Sequence, residues 1–193
     1  MIRRPTGEDG GALAAMLTQL DRETTFMMLE PGERSEDPRE LAAWITAMDP
    51  GSECYLALFR GPRAFGFAHA ERGRYRRTRH CAVVVIGMLA DVRRAGWGRR
   101  LLAGIDAWAL DVGVIRLELT VMIHNATAIT LYEKCGYQFE GRRSASLVID
   151  QEPVDELAMA KILPLRQNPT DEGGPAPGRI GEVAGCRWTG AGP

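Results

Sequence analysis

The spacing of hydrophobic residues changes repeatedly along this chain, and each change marks a new predicted element. In residues 8–20 the apolar positions recur every three or four residues, which predicts an α-helix. The segment "IRLELTV" alternates apolar and polar residues, which predicts a strand with one buried face. Two apolar runs, "ECYLALF" and "AFGFAHAE", flank the turn "RGPR" and predict an antiparallel hairpin. This mixture of helical and extended segments is typical of an α/β fold.

The most apolar run of the chain is "HCAVVVIGMLA", and it predicts a strand that is buried on both faces. A helix is expected to follow over residues 99–111, because their apolar positions fall on one side and Gly113 can end the helix. The alternating strand "IRLELTV" comes next. A strand, a helix and a strand within about 40 residues form a right-handed crossover, so the two strands are predicted to be parallel neighbours.

The other elements have local signals. "MIRR" predicts a short first strand, and Asp37 as N-cap with Pro38 in the first turn predicts a second helix that ends near Met48. "NATAITLYEKCGY" predicts a helix stopped by Gly136, and "SASLVID" and "VDELAMAKIL" predict a closing hairpin. We expect one α/β (α+β) domain over residues 1–164, with a mixed, mostly antiparallel sheet and flanking helices.

Residues 165–193 differ in character, because they are rich in glycine and proline and lack a periodic apolar pattern. They are predicted to form a disordered tail. Of the whole chain, 45% is hydrophobic, and 24 basic residues nearly balance 25 acidic ones, so no overall field attracts nucleic acid. No apolar run is long enough for a bilayer span or a signal peptide, so a cytoplasmic protein is expected.

The four cysteines and three histidines show no metal-ligand spacing, so reduced cysteines and no metal site are predicted.

The stretch "DVRRAGWGRR" directly follows the most apolar run and combines four arginines with two glycines. The first turn of a helix leaves N–H groups unpaired and carries a partial positive charge, which favours an anion. Glycines let a phosphate approach the backbone, and Arg93, Arg94, Arg99 and Arg100 add positive charge. The stretch therefore indicates a pyrophosphate-binding loop.

Three alternatives compete with this interpretation. A solvated surface turn is equally compatible with the composition of the loop. A dinucleotide-binding turn would need a third glycine where the chain has Leu101, and a P-loop would need a GK[ST] ending that is absent.

Two linked motifs resemble those of the GCN5-related N-acetyltransferase (GNAT) family. The pattern Arg93-x-x-Gly96-x-Gly98 resembles the acyl-CoA-binding motif Q/R-x-x-G-x-G/A, and "NATAITLYEKCGY" resembles the second signature N-x-x-A-x-x-L-Y-x-x-x-G-F/Y. The order of elements is similar to that of the family up to about Leu163. The resemblance implies a single-domain GNAT-like fold in which the parallel fourth and fifth strands splay apart.

The resemblance also implies a cofactor site and a catalytic acid. The pantetheine arm of acetyl-CoA would enter the splay, backbone amides of the loop would hold the pyrophosphate, and the Asn125 side chain would contact the cofactor. Tyr132 matches the general acid that protonates the departing thiolate, although a half-buried packing role for Tyr132 and an N-cap role for Asn125 are alternatives. The implied cofactor-binding residues are Ile86, Gly87, Met88, Arg93, Arg94, Ala95, Gly96, Trp97, Gly98, Arg99 and Asn125.

The residue that receives the acceptor amine is less clearly indicated. Several protein N-terminal acetyltransferases carry a glutamate where this chain has Thr120, a departure that weakens the interpretation as a ribosomal-protein acetyltransferase. Glu33, in the loop between the first two helices, is the expected candidate. Glu30, Glu71, Glu118 and a water relay are alternatives.

The expected function is transfer of an acetyl group from acetyl-CoA to a primary amine of a small molecule, an amino acid or a peptide, by direct attack in a ternary complex. A non-catalytic acyl-CoA sensor is one alternative. An RNA-associated module is another, since the loop at residues 72–79 interleaves arginines with Tyr75. A homodimer is compatible with the sequence, and no membrane partner is expected.

Overall fold

A computed structural model describes residues 1–35 and 37–164. The predicted disorder of residues 165–193 lies outside the described residues and stays a prediction. In chain order the helices and strands are β1 (Ile2–Arg3), α1 (Gly10–Glu23), α2 (Pro38–Ala47), β2 (Glu53–Arg60), β3 (Arg63–Arg72), β4 (Cys81–Met88), α3 (Trp97–Val112), β5 (Arg116–Met122), α4 (Ala126–Lys134), β6 (Gln138–Ile149) and β7 (Glu152–Ile162). Short 3-10 turns occupy Gly7–Asp9 and Ala90–Val92.

All described strands belong to one seven-stranded sheet with the order β1-β2-β3-β4-β5-β7-β6. The pair β4–β5 is parallel, as its crossover through α3 predicts, and the other neighbours are antiparallel. The mixed, mostly antiparallel sheet with flanking helices is therefore confirmed.

Helix boundaries follow the local signals in the sequence. The Asp37 side chain caps α2 by accepting a hydrogen bond from the Arg39 N–H at 2.9 Å. Gly113 ends α3 in the left-handed conformation, with φ of 76°, which the sequence signal predicts.

The helices bury two hydrophobic clusters on opposite faces of the sheet. The first cluster joins α3 and Tyr132 of α4 to inward side chains such as Leu117 and Leu119 of β5. The second joins α1 and α2 to β2 and β3, around Leu13, Leu20 and Phe67. The sheet thus separates an α3/α4 face from an α1/α2 face.

The prediction that β4 is buried on both faces is wrong. Ala82 and Val84 are buried on the α3/α4 face, but Val83 is 52% exposed and Val85 is 44% exposed. In the register of the sheet, the neighbours of Val83 on the other face are the carboxylate residues Glu71 and Glu118. An apolar sequence alone does not show whether a second layer covers the strand.

The closing hairpin is longer than predicted, because β6 begins at Gln138 rather than at Ser144. The first half of β6 carries few apolar residues and is largely exposed at the edge of the sheet. Its pairing with β7 is interrupted by irregularities between Phe139 and Gly141 and between Arg143 and Leu147, which hide the two-residue period from sequence inspection.

Candidate functional site

The parallel strands β4 and β5 stay together for only three residue pairs. They are Cys81–Arg116, Ala82–Leu117 and Val83–Glu118, after which β4 continues to Met88 beside β3 alone. The gap that opens is bordered by the second half of β4 and by β5. The predicted splay is confirmed.

Backbone groups of β4 alternate between the two neighbouring strands. The Leu89 N–H donates to the Phe65 carbonyl at 2.9 Å, so odd-numbered residues of this strand face β3. The His80 carbonyl accepts from Arg116 at 3.0 Å, so even-numbered residues face β5. The N–H and C=O groups of Ile86 and Met88 therefore face the gap.

Gly87 has a different role from its two neighbours. Its polar groups face β3, and a Cβ atom at this position would lie 2.5 Å from Leu20 Cδ2 and 2.8 Å from Phe67 Cε1. Gly87 thus lets the side chains of Leu20 and Phe67 pack closely against β4.

The loop after β4 ends at the uncapped N-terminus of α3. Gly96, the N-cap residue, has φ of 78°, and no side chain caps the helix there. Arg94 also has positive φ, 61°, so the chain turns sharply just before the helix. The first-turn N–H groups of α3 and the positive end of its dipole are directed at this loop, which favours an anion.

Gly96 and Gly98 serve different purposes. A Cβ at Gly96 would have nothing within 4 Å, so glycine is favoured there by its left-handed backbone. A Cβ at Gly98 would lie 2.9 Å from Leu131 Cδ2 and 3.0 Å from Met88 Cε, so Gly98 allows α3 to pack closely against α4 and β4.

The arginines of the loop point in different directions. Arg93 folds back, and its Nε donates to the Met88 carbonyl at 2.9 Å. The Arg100 guanidinium stacks 4.8 Å from the centre of the Trp97 ring. All four arginines and Ala95 are exposed, but Arg93 and Arg100 make these contacts, whereas Arg94 and Arg99 make neither of them.

Helix α4 follows β5 and carries Asn125 at its N-terminus and Tyr132 on the side that packs into the hydrophobic cluster of the α3/α4 face. Asn125 is the N-cap, and its Oδ1 accepts from the Ala128 N–H at 3.1 Å. Tyr132 is 6% exposed, its ring lies 5.7 Å from that of Tyr137, and burial raises the pKa of its hydroxyl to about 12. Tyr132 therefore holds its proton throughout the neutral range.

The segment of residues 24–35 connects α1 to α2 and reaches both sides of the gap. Phe26 lies 5.2 Å from the His124 ring, just after β5, and Met27 Sδ lies 3.4 Å from the position that a Cβ on Gly87 of β4 would take. Arg34 holds the far end of the segment, because its Nε donates to the buried carboxylate of Asp21 at 2.7 Å. The segment is thus fastened to α1 and contacts both β4 and the residues after β5.

Glu33 lies in the exposed turn of this segment. Its Oε2 accepts from the Glu30 N–H at 2.8 Å, and its own N–H donates to the Glu30 carbonyl at 3.1 Å. The turn therefore holds one oxygen of this exposed carboxylate.

The other candidate carboxylates belong to the sheet. Glu118 faces Arg116, whose Nε donates to it at 2.8 Å, and Glu71 lies 3.6 Å from the Arg74 guanidinium. Thr120 is exposed on the same face of β5 as Glu118. In residues 1–35 and 37–164, no group of three or more histidine, cysteine, aspartate or glutamate side chains could hold a metal ion. No helix in that part of the chain is long and apolar enough to cross a membrane.

Comparison with known proteins agrees with this geometry. The model of the acetyltransferase (GNAT) family matches residues 14–137. The chain belongs to the GNAT family. This match contains both the loop after β4 and the whole of α4.

Individual relatives cover different shares of this GNAT protein. The L-amino acid N-acetyltransferase AaaT of Escherichia coli is 33% identical over 92 residues, which are 45% of this chain and 55% of AaaT. A GNAT-family acetyltransferase from Streptococcus pneumoniae is 25% identical with a TM-score of 0.77, covering 85% of this chain and 99% of that one. The phosphinothricin acetyltransferase of Sinorhizobium meliloti, solved with acetyl-CoA, shares the fold at 18% identity and a TM-score of 0.73, covering 84% and 88% of the two chains. The matches span only 33% to 55% of the curated relatives' lengths.

The sequence motifs predict that β4, the loop after it and Asn125 lie in one region of this GNAT protein. They do not predict that Glu23 and His124 lie there as well. Glu23 accepts a hydrogen bond from Ala90, 67 positions along the chain, and His124 contacts Phe26. Neither residue lies within a motif, so only the tertiary contacts reveal them.

Proposed function

We propose that this protein is an acetyl-CoA-dependent N-acetyltransferase that acts on a primary amine. The proposal is carried by one observation, which is the separation of β4 from β5 after three residue pairs next to the uncapped N-terminus of α3. Membership of the GNAT family supports it. A gap bordered by backbone groups of β4 that pair with no neighbouring strand in the described part of the chain, with an anion-binding helix end beside it, suits a long cofactor arm that ends in phosphates.

In this proposal the cofactor follows the backbone rather than a set of side chains. The Ile86 backbone groups and the Met88 N–H pair with the amide groups of the pantetheine arm, since the Met88 carbonyl already accepts from Arg93. The amides of residues 93–99 bind the pyrophosphate. Exposed Arg94 and Arg99 add charge. Asn125 already caps α4, so its remaining amide donors are the groups available to the cofactor.

The chemical step needs a neutral amine, since its nitrogen lone pair forms the new bond to the thioester carbon. The carbon–sulfur bond then breaks, and the thiolate takes a proton from the Tyr132 hydroxyl. The nitrogen, positively charged after the attack, loses its extra proton to solvent through Glu33 or a water relay, and solvent returns a proton to the Tyr132 oxygen. A lysine-type amine with a pKa of about 10.4 costs roughly 4 to 5 kcal/mol to deprotonate at pH 7, whereas an α-amino group costs about 1 kcal/mol. Glu33 is the proposed carboxylate that receives the cationic amine; Glu30, Glu71, Glu118 and a water relay are tested against it.

We favour α-amino groups of free amino acids or of peptide N-termini as acceptors. Their lower deprotonation cost suits a site whose candidate bases are exposed or ion-paired carboxylates. The name of the relative AaaT, an L-amino acid N-acetyltransferase, points to the same class.

An amine panel tests the proposal directly. The protein is incubated with acetyl-CoA, a thiol reagent and, in separate reactions, free L-amino acids, short peptides, lysine-type amines and polyamines. We expect thiol release that depends on an α-amine. Acetyl-CoA binding without release for any amine would favour the sensor, and failure to bind acetyl-CoA would contradict the proposal.

The RNA alternative has one supporting observation, which is the exposure of Tyr75 at 78% in the loop between β3 and β4. Two arginines of that loop already bind each other, since Arg72 Nε donates to the Arg79 carbonyl at 2.5 Å. This internal contact favours a structural loop.

A further inference from the structure

Glu23 is the last residue of α1 and directly precedes the 24–35 segment. Its Oε2 accepts a hydrogen bond from the Ala90 N–H at 2.8 Å and lies 3.9 Å from the Arg93 guanidinium. Its Oε1 accepts from Gln19 Nε2 at 2.6 Å. Both oxygens of this partly exposed carboxylate are therefore engaged.

Two of the partners of Glu23, Ala90 and Arg93, lie at the two ends of the short turn that joins β4 to the loop at residues 93–98. Ala90 begins the turn, and Arg93 follows it. Arg93 in turn donates from Nε to the Met88 carbonyl, one of the backbone groups that face the gap. A chain of contacts thus runs from the end of α1 through Arg93 to the wall of the gap.

The same carboxylate fixes the start of the 24–35 segment. Three residues further on, Phe26 contacts His124 beyond β5, and Met27 lies close to Gly87 of β4. The hydrogen bond from Ala90 is the main reason why the pKa of Glu23 lies below its usual value, so the carboxylate stays charged at neutral pH.

We infer that Glu23 is a positioning residue that fastens the 24–35 segment to the loop at residues 93–98. The segment borders the side of the gap proposed to receive the amine (the acceptor side), and the loop borders the side proposed to bind acetyl-CoA (the cofactor side), so Glu23 holds the two sides in a fixed relation. The inference rests on the proposed function. Glu23 acts through Ala90 and Arg93 and contacts no reacting atom.

The test compares Glu23→Ala with Glu8→Ala, which removes an exposed glutamate from the turn preceding the same helix. Acetyl-CoA affinity is measured by calorimetry, thermal unfolding is measured in parallel, and trypsin cleavage after Arg22 and Arg34 reports on the attachment of the segment. We expect Glu23→Ala to weaken acetyl-CoA binding about fivefold, the effect of losing one charge-assisted hydrogen bond of about 1 kcal/mol, and to accelerate cleavage. Glu8→Ala should match the wild type in all three measurements.

Two further variants separate positioning from simple stabilisation. Glu23→Gln keeps an oxygen for the Ala90 N–H and loses only the charge that faces Arg93, so its affinity should lie between those of the wild type and Glu23→Ala. Combining Glu23→Ala with Arg93→Ala should weaken binding less than the sum of the single effects, because the two residues share one contact chain.

The outcomes distinguish this inference from the proposed function. A wild-type protein that fails to bind acetyl-CoA overturns both. A wild-type protein that binds while Glu23→Ala retains its affinity and its resistance to trypsin overturns the inference alone. If Glu23→Ala does not fold, Glu23→Gln decides the question, and wild-type affinity in that variant overturns the inference.

Discussion

The two sides of the gap between β4 and β5 are built in different ways. The proposed cofactor side consists of backbone groups, namely those of Ile86 and Met88 and the uncapped first turn of α3. The proposed acceptor side consists of side chains on the 24–35 segment and on the open face of the sheet. A site made from backbone requires only a strand, a turn and well-placed glycines, whereas a site made from side chains depends on where distant segments meet.

The two sides therefore respond differently to substitution. The backbone groups of the cofactor side do not change with most substitutions, because every residue except proline carries the same N–H and C=O. If Glu33 receives the amine as proposed, single substitutions of Glu33 or its neighbours change the chemistry of the acceptor side. One family can thus keep one cosubstrate and vary the acceptor.

The largest effect is expected from Tyr132→Phe. The variant keeps the buried ring and loses the hydroxyl, so turnover should fall about 10²-fold, the lower range for general acid catalysis, while acetyl-CoA affinity is preserved. Tyr137→Phe, whose ring lies 5.7 Å away, is the matched control and should keep its turnover. Steady-state kinetics on the best amine of the panel measures both. Unchanged turnover in folded Tyr132→Phe would make Tyr132 a packing residue.

The next largest effect is expected at the N-terminus of α3, where a left-handed glycine is proposed to shape the cofactor side. Gly96 and Gly113 lie at opposite ends of α3, with φ of 78° and 76°, and a Cβ added at either position would have no neighbour within 4 Å. Alanine in the left-handed conformation costs about 1–2 kcal/mol at either position, so Gly96→Ala and Gly113→Ala should lose similar stability. Only Gly96→Ala should weaken acetyl-CoA binding, because only Gly96 lies in the proposed pyrophosphate loop. If the loop must keep the left-handed conformation to bind, a cost of about 1–2 kcal/mol lowers the affinity about tenfold. Equal acetyl-CoA affinities of the two variants in calorimetry would contradict the assignment of this loop as the pyrophosphate site.

Alkaline pH should destabilise both sides of the gap through buried tyrosines. Burial raises the pKa of Tyr55, beneath the acceptor side, and of Tyr132 and Tyr137, near the cofactor side. A tyrosine in the unfolded chain loses its proton near pH 10, while the folded one keeps it, so stability is full below pH 10 and falls as the pH rises towards the folded pKa, which is about 12 for Tyr132. Urea unfolding at pH 9, 10 and 11 should show little loss between pH 9 and 10 and, above pH 10, a loss that approaches about 1.4 kcal/mol per pH unit for each such tyrosine.

Phenylalanine variants assign that loss to one side of the gap. Tyr55→Phe and Tyr137→Phe should each reduce the loss of unfolding free energy above pH 10 by the contribution of one tyrosine. A pH dependence that neither substitution alters would mean that other groups titrate.

The smallest effect is expected at the acceptor side. Glu33→Gln removes the charge of an exposed carboxylate, whose attraction for a cationic amine is about 1 kcal/mol at most, so kcat/KM for the amine should fall about fivefold. Acetyl-CoA affinity should not change. Glu30→Gln is the control from the same turn. An equal fall in kcat/KM in both variants, or no fall in either, would contradict a specific role for Glu33 and favour Glu71 or Glu118.

Much of the fold could be predicted because its signals are local. The capping of α2 by Asp37 and of α4 by Asn125 depends on side chains that bond to their own helix. The left-handed stop at Gly113 is equally local. The parallel pair β4–β5 follows from chain connectivity, since a strand, one helix and a strand that return to neighbouring positions of one sheet form a right-handed crossover, which makes the two strands parallel.

Only the tertiary structure decided the rest. The exposure of Val83 and Val85, the packing role of Gly98 against Leu131, and the return of Arg93 to Met88 all depend on atoms far apart in the chain or on layers that the local pattern does not specify. A sequence pattern reports which residues can be buried or charged. What they contact is set by the packing of whole elements, and therefore the contacts that join the two sides of the gap, as at Glu23, appear only in the folded chain.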